Sequence, residues 1–329
     1  MANFRIMTLS IAINFLLIVV GAYFLYQGAN LLISSASKLA QNFGIPLIAV
    51  SFTVIALGTS APKLIVGIVA GLSGHGDLVV SNIIGGNLAN LGLILGLGAL
   101  LSPLGLPKKG SKIEIYSFIL SVALLYLLAL DGTLSRLDGV ILCLVGAAFM
   151  TAVIRAHREA KHLQEALERA VLIKRRRESF LNLLAIAAAV TVIFVGATFL
   201  VQNAGALAQT FHVSVTLIGL TIVAIGTSVP EISTTIISSV RQKHDLTIGN
   251  IIGSNILNIL IILGVTVIIT PVRVAPVIAN RDLPLLLVVS IVIASIMRGG
   301  RLLTRRAGAA LILAYLAYVA FILSLTPVG

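Results

Sequence analysis

TVIALGTSAPK at residues 53–63 occurs a second time, slightly changed, as TIVAIGTSVPE at residues 221–231. A second stretch, DLVVSNIIGGNLANLGLILG at 77–96, returns in the same way as DLTIGNIIGSNILNILIILG at 245–264. The same shift of 168 residues relates both pairs. Over 51–100 against 219–268 the alignment needs no gap, and 18 of the 50 positions are identical. A repeat of this length indicates that the chain consists of two duplicated halves.

The repeated stretches lie in a strongly apolar chain. Of its 329 residues 58% are apolar and only 10% are charged, whereas about 25% are charged in a soluble domain. This composition excludes a soluble enzyme, a nucleic-acid-binding domain and a disordered chain. The apolar residues form long unbroken runs instead of alternating with polar ones, so helices and not a β-barrel must satisfy the backbone in lipid. We therefore predict an all-α polytopic membrane protein.

The apolar runs divide into ten predicted transmembrane helices, because one span of the hydrocarbon core needs roughly 20 residues. The first five cover 9–37, 45–73, 78–101, 114–130 and 137–154, and the second five cover 180–207, 213–240, 246–270, 283–298 and 307–326. The segment between the two sets is rich in basic residues and suits a solvated linker. The predicted units are therefore a first repeat at 1–154, a basic cytoplasmic linker at 155–178 and a second repeat at 179–329.

The distribution of basic residues predicts the orientation in the membrane. With the N-terminus outside, 18 of the 23 Lys and Arg residues fall in cytoplasmic segments and 4 in outside segments, while Lys63 lies within a span. This asymmetry follows the positive-inside rule and predicts a multi-pass protein of the inner (plasma) membrane with both termini outside. Each half has an odd number of spans, so the second half enters the membrane with opposite polarity. Such inverted repeats are typical of secondary transporters, whose sites lie near the midplane between the repeats.

The repeated motif places a proline in the middle of an apolar span. Pro62 and Pro230 remove a backbone donor and disturb the helix before them, which is expected to loosen carbonyls as far back as Ala56 and Ala224. Freed carbonyls next to Thr and Ser hydroxyls form a hard-oxygen site that suits Na⁺ or Ca²⁺. The structural alternative is a proline kink whose Ser and Thr side chains satisfy the backbone. Two copies in inverted halves favour the ion site.

Polar amides and one pair of ionisable residues lie deep in the spans. Amides in hydrocarbon need partners, so they either bond across helices or bind ions. Lys63 and Glu231 occupy equivalent positions in the two repeats, and a two-fold relation between the repeats would make them partners. Of the amides we expect Asn90 and Asn258 to lie nearest the ions. The complete set of amides in the third and eighth spans is Asn82, Asn87, Asn90, Asn250, Asn255 and Asn258.

GTSAPK and GTSVPE, followed by SNIIGGNLAN and GNIIGSNILN, resemble the two alpha repeats of the cation/calcium exchanger superfamily, most of all the prokaryotic sodium/calcium exchangers. The resemblance covers nearly the whole chain. It implies exchange of Na⁺, or in some branches H⁺ or K⁺, for Ca²⁺ by alternating access. The implied partners are inorganic cations and the lipid bilayer, with no cofactor and no nucleic acid, and the oligomeric state is left open.

By position, the resemblance implies a set of ion ligands in each repeat. In the first repeat they are the Ala56 carbonyl, Thr59, Ser60, Lys63, Gly86 and Asn90. In the second repeat they are the Ala224 carbonyl, Thr227, Ser228, Glu231, Ser254 and Asn258. Three positions depart from the family pattern, which usually has Glu at position 63 and Ser at position 86, and often has Asp at position 258. Glu231, Asn90 and Asn258 are thus the predicted metal ligands, and Lys63 and Gly86 are predicted to modify the site.

The replacement of an acidic residue by Lys63 changes the charge of the predicted site. Two Glu side chains would carry −2, which matches one Ca²⁺ or two Na⁺, whereas Lys63 and Glu231 sum to zero. An ammonium about 5 Å from a dication at an effective dielectric of about 20 costs about 7 kcal/mol. Ca²⁺ binding of the usual kind is therefore expected to fail unless Lys63 moves aside or loses its proton.

Three functions remain open at this point. The first is a family exchanger in which Lys63 stands in for one cation and alters selectivity or coupling. The second is a proton-linked monovalent cation antiporter in which the incoming ion breaks the Lys63–Glu231 pair. The third is a transport-inactive scaffold with the pair as a structural salt bridge, because a homologous fold does not guarantee activity.

Overall fold

The computed structural model describes residues 2–42, 56–105, 112–158, 174–211, 214–242, 244–298 and 302–325. The helices of the first half are α1 (Ala2–Asn42), α2 (Ala56–Leu72), α3 (Gly76–Leu101), α4 (Lys112–Leu128) and α5 (Arg136–Arg158). Those of the second half are α6 (Lys174–Thr210), α7 (215–227), α8 (Val229–Val240), α9 (244–269), α10 (Ile278–Arg298) and α11 (Arg305–Ser324). Helices α5 and α6 extend into both ends of the predicted linker, of which 159–173 lies outside the described residues.

Most of these helices are long and apolar enough to cross a membrane. Seven of them meet that requirement within the described ranges, and the bent pair α7 and α8 forms an eighth candidate. Two shorter apolar helices, Thr59–Leu72 and Ile113–Leu128, lie where the sequence predicts the second and fourth spans. The protein is therefore a mostly helical, multi-pass membrane protein. The start of the predicted second span, up to residue 55, lies outside the described residues.

Helices α3 and α9 form the centre of the molecule. Within their most apolar windows 78% and 83% of the residues are buried, against 17% for α1 and for α11. Both central helices contain a π-helical turn, at Asn90–Ile94 and Asn258–Leu263, and the two turns begin 168 residues apart. Such turns are rare and occur mostly at functional sites. The sequence repeat therefore reappears as a repeat of local backbone structure in the core.

Contacts between the halves come in reciprocal pairs. Helices α1 and α6 cross where a Cβ on Gly21 would lie 2.7 Å from the Gly196 carbonyl oxygen, and a Cβ on Gly28 would lie 3.1 Å from that of Ala189. The shift of 168 residues converts the first contact into the second. Glycines allow this close approach because any Cβ there would meet backbone.

The same reciprocity appears at the outer helices. Gly96 of α3 meets Gly308 of α11, and Gly264 of α9 meets Gly139 of α5, with hypothetical Cβ distances of 2.8 and 3.1 Å to the facing carbonyl oxygens. Two short strands, β1 (Thr133–Leu134) and β2 (Val272–Arg273), pair antiparallel, and Leu104 forms an isolated bridge with Leu303. To within one residue, each of these contacts is the shifted copy of another. This pattern is what a two-fold relation between the halves produces.

The crossing of α1 and α6 gives a stability prediction. Gly21→Ala places a Cβ against backbone that cannot move locally, so we expect a loss of about 1–3 kcal/mol from overpacking. Thermal unfolding of the detergent-solubilised protein measures the effect as a lower Tm. Gly105→Ala is the matched control, because its Cβ would lie 3.8 Å from the end of the Leu302 side chain, an ordinary contact. Equal Tm values for Gly21→Ala and the parent would contradict the close crossing.

Candidate functional site

The two copies of the proline motif differ in backbone structure. In the second copy the helix breaks at Ser228, which has φ −95° and ψ 4°, and α7 and α8 meet at a bend of 47°. Pro230 is the second residue of α8, a position where no helical donor is lost. In the first copy α2 runs from Ala56 to Leu72 without interruption through Pro62. The broken helix expected from the sequence is therefore present in the second half, and the described part of α2 lacks it.

An ion pair lies at the centre of the site. The Lys63 Nζ atom donates to Glu231 Oε1 at 2.6 Å and to the Thr227 carbonyl oxygen at 3.3 Å. Both side chains are completely buried. They come from α2 and α8, and they meet as predicted for equivalent positions of two related repeats. The second carboxylate oxygen, Glu231 Oε2, has no hydrogen-bond partner among the described residues.

Gly86 of α3 makes room for the lysine. A Cβ at this position would lie 3.0 Å from Lys63 Cε and 3.8 Å from the Ser228 hydroxyl oxygen. A serine here would therefore press against the lysine stem. The two departures at positions 63 and 86 fit each other sterically.

Four amides form a second reciprocal cluster between α3 and α9. Asn258 Nδ2 donates to Asn87 Oδ1 at 2.9 Å, and Asn90 Nδ2 donates to Asn255 Oδ1 at 3.3 Å. The shift of 168 residues exchanges these two bonds. Asn87 also donates to the Asn255 carbonyl oxygen at 3.2 Å. The Oδ1 atoms of Asn90 and Asn258 are buried and have no partner in the described ranges, so they are free to bind a cation.

The hydroxyls of the motif surround the ion pair and the amides. Thr59 Oγ1 lies 3.4 Å from Ser254 Oγ. Thr227 Oγ1 lies 2.8 Å from the Val223 carbonyl oxygen, 3.0 Å from Asn82 Oδ1 and 3.3 Å from the Ala224 carbonyl oxygen. Its single proton can serve only one of these acceptors at a time.

The remaining predicted ligands also lie in this region. The Ser60 and Ser228 hydroxyls are buried without a partner in the described part of the chain. Ala56 opens α2, and its backbone is the only part of it that the structure describes. The predicted residues of both repeats thus converge on one buried region, which is rich in oxygen atoms. Its one described carboxylate is that of Glu231, and the described residues hold no group of three His, Cys, Asp or Glu.

Sequence reasoning did not single out two polar groups that the structure reveals. Tyr318 donates to the buried Asp282 carboxylate at 3.0 Å, and Arg281 contacts the same carboxylate at 2.8 and 3.0 Å, which makes this cluster structural. A row of hydroxyls extends from Glu231 along α8. Comparison of the two repeats would have revealed this row, because its counterparts in the first repeat are apolar.

The sodium/calcium exchanger protein family matches the chain over residues 13–155 and 181–324. The chain is 35% identical to the inner membrane protein YrbG of Escherichia coli over 281 residues, which are 84% of this chain and 86% of the relative. It is 31% identical to the putative antiporter CaxA of Alkalimonas amylolytica, covering 92% and 96% of the two chains. It is 27% identical to the sodium/calcium exchanger MaX1 of Methanosarcina acetivorans, covering 94% and 98%.

A solved structure has the same fold. The sodium-calcium exchanger NCX_Mj, soaked with Na⁺ and Sr²⁺, superimposes with a TM-score of 0.67 at 24% sequence identity, over 94% of this chain and 98% of the other.

The buried ion pair gives the next prediction. Removing one partner leaves the other charge buried and unpaired, so Glu231→Gln and Lys63→Met are each expected to cost about 3–5 kcal/mol. The double variant leaves no unpaired charge, so its loss should be well below the sum of the two single losses. Denaturant unfolding in detergent measures all three. Additive losses would contradict direct pairing.

Proposed function

The chain belongs to the sodium/calcium exchanger protein family, and we propose that it is a secondary active cation antiporter whose selectivity or coupling is altered by Lys63. In this proposal cations bind at the midplane between two inverted five-helix repeats and move by alternating access. The family consists of exchangers, so Na⁺ and Ca²⁺ are the substrates that it implies. The buried, oxygen-rich region at the centre of the molecule supports a site of this kind.

We propose ten spans in this architecture, with both termini outside and the linker in the cytoplasm. The seven long helices, the bent pair and the two shorter apolar helices supply ten candidates. The reciprocal contacts between the halves support the two-fold relation of the repeats. The distribution of Lys and Arg supports the orientation. Reporter fusions within 159–173 that act outside would contradict it.

The observation that carries the proposed function is the buried pair of Lys63 and Glu231. The ammonium occupies the place of a cation, because it binds a carboxylate oxygen at 2.6 Å and a carbonyl oxygen at 3.3 Å. It is tethered to α2 and cannot leave, so this protein binds at least one cation fewer than a site with two acidic residues. The pair is neutral, and a divalent ion beside it meets uncompensated repulsion.

Free oxygen atoms next to the pair can accept an exchangeable ion. Glu231 Oε2, Asn90 Oδ1 and Asn258 Oδ1 are buried and lack partners among the described residues. One carboxylate and several neutral oxygens suit a monovalent ion better than Ca²⁺, which prefers six to eight oxygen ligands and more than one negative charge. The same ion pair favours a second candidate function, proton-linked monovalent cation antiport. In that function Na⁺ binds Glu231 while Lys63 gives up its extra proton, so the charge of the site is unchanged.

Calcium uptake tests the role of Lys63. Lys63→Glu/Gly86→Ser restores a second carboxylate and a hydroxyl, so Na⁺-driven uptake of radiolabelled Ca²⁺ into proteoliposomes should rise at least about tenfold, equivalent to about 1.4 kcal/mol. Gly86→Ser alone is the control and should gain nothing, because the lysine remains and the new Cβ crowds it. Equal uptake by the parent and the double variant would contradict exclusion of Ca²⁺ by Lys63.

Proton release tests the second candidate. Proteoliposomes loaded with a pH-sensitive dye receive a Na⁺ pulse, and Na⁺-driven proton flux is expected from the parent. The conservative variant Lys63→Arg keeps the positive charge but does not release a proton, so it should lose this flux. Proton flux that persists in Lys63→Arg would contradict Lys63 as the proton carrier.

A further inference from the structure

A row of hydroxyl and amide side chains extends from Glu231 to the end of α8. Residues three and four apart lie on one face of a helix, so Thr234, Thr235, Ser238 and Ser239 continue the face of Glu231. Helix α9 faces them with Thr247 and Asn250. We call this set of six residues the hydroxyl track. It leads to Arg241 and His244, at the face of the protein that the charge distribution predicts to be cytoplasmic.

The members of the hydroxyl track contact one another across α8 and α9. Thr247 Oγ1 lies 2.6 Å from Ser238 Oγ and 3.4 Å from Ser239 Oγ. Asn250 Nδ2 donates to Thr234 Oγ1 at 2.9 Å. Thr235, Ser239 and Thr247 are completely buried. The track is therefore a packed polar seam within the protein.

Two members of the track differ from ordinary membrane hydroxyls. Thr191, Thr198 and Ser290 each donate to the carbonyl four residues earlier in their own helix, which satisfies them locally. Ser239 Oγ instead contacts Thr247, and Thr235 Oγ1 has no partner among the described residues. Glu231 Oε2, one turn away, also lacks one there. Buried polar atoms without a partner are costly and require an explanation.

The first half has a different lining at the equivalent positions. The shift of 168 residues maps Thr234, Thr235, Ser238, Ser239 and Thr247 onto Val66, Gly67, Ala70, Gly71 and Val79. Thr266 and Thr270 of the second half pack on Gly67 and Gly71 there. The Thr266 hydroxyl donates to its own helix, to the Ile262 carbonyl oxygen at 2.7 Å. The hydroxyl seam thus runs from the ion pair toward one face of the protein.

The packing of the seam selects the species that it can pass. Gly98 of α3 covers it, since a Cβ there would lie 3.1 Å from Thr235 Cγ2 and 3.2 Å from Ser239 Oγ. Hydroxyls in direct contact leave no space for a hydrated metal ion. Each hydroxyl both donates and accepts a hydrogen bond, so a chain of them can hand on a proton by small rotations.

We propose that the hydroxyl track conducts protons between the Lys63–Glu231 pair and the protein face at Arg241 and His244. This proposal rests on the second candidate function, proton-linked antiport. When a monovalent cation binds Glu231, Lys63 Nζ releases one proton to the track and keeps the bonding pair as a neutral amine. When the cation leaves, the amine takes a proton back. Ammonium plus carboxylate and cation plus carboxylate carry the same charge, so each exchange is balanced.

Few other charged groups face this route. The helices packed against α8 in the described part are α1, α2, α3, α7 and α9. Apart from Lys63 and from Asp77 at the far end of α3, their titratable and basic residues lie toward the helix ends, and Lys38 is exposed. At the near end of the track they are His244 and Asp245 of α9, beside Arg241. The ion pair is therefore the proton-binding group at the inner end of the track.

Variants at Thr235 test the track. Thr235→Val removes the hydroxyl at nearly constant volume, so Na⁺-driven proton flux in dye-loaded proteoliposomes should fall at least about tenfold, equivalent to about 1.4 kcal/mol of barrier. Exchange of radiolabelled Na⁺ for Na⁺ moves no proton and should stay at the parental rate, which also establishes that the variant is folded. Thr235→Ser keeps the hydroxyl and should retain both fluxes. Thr266→Val, an equally buried threonine outside the track, is the matched control and should also retain both.

The outcomes separate the track from the function on which it rests. A parent protein without Na⁺-driven proton flux would overturn proton-linked antiport itself. A parent with this flux and a Thr235→Val variant that retains it would overturn the track alone. If Thr235→Val also loses Na⁺ self-exchange, Ser238→Ala/Ser239→Ala takes its place with the same two measurements, and retained proton flux in that variant overturns the track.

Discussion

Charge neutrality in a dry site is the constraint on which the rest of the structure depends. Lys63 and Glu231 are completely buried and 2.6 Å apart. Taking either charge out of water alone would cost several kcal/mol, so each is tolerable only because the other is present. Any ion that enters must respect the same balance. The protein can exchange a positive charge for another positive charge at Glu231, but it has no second described carboxylate nearby with which to accept an additional one.

The duplicated fold is what brings these two residues together. Residues that are equivalent in two related halves meet only near the axis that relates the halves, and Lys63 and Glu231 are such residues. Asn87 and Asn255 are a second equivalent pair in direct contact, at 3.2 Å, and the bonds of Asn90 and Asn258 flank them reciprocally. The glycine crossings of α1 with α6, and of α3 with α11, hold the halves close enough for these short polar contacts. The backbone repeat therefore determines where a site can form, and the side chains at the axis determine its charge.

Much of this could be predicted from the sequence. The repeat of 168 residues identified the central helices and the meeting of Lys63 with Glu231, because internal symmetry turns sequence equivalence into spatial proximity. Apolar runs located the helices to within a few residues, as for α3 and α11. The steric match of Gly86 with the Lys63 stem was not predictable, since it depends on a distance between two helices. Nor was the difference between the uninterrupted α2 and the break at Ser228, because both copies contain the same Gly-Thr-Ser-Xaa-Pro pattern and packing decides which one bends.

A symmetric backbone cannot by itself distinguish the two sides of a membrane. If the repeats are related by a two-fold axis in the membrane plane, every route to the site from one side has a counterpart from the other. Direction must then come from side chains that differ between the repeats. This chain differs in two places: at the axis, where Lys63 faces Glu231, and along α8, where hydroxyls replace the valine, alanine and glycine of α2. The first difference gives the site a proton that can be exchanged for a cation. The second gives that proton a polar surrounding on one side only, so the asymmetry of the two changes together is what would make an otherwise symmetric scaffold directional.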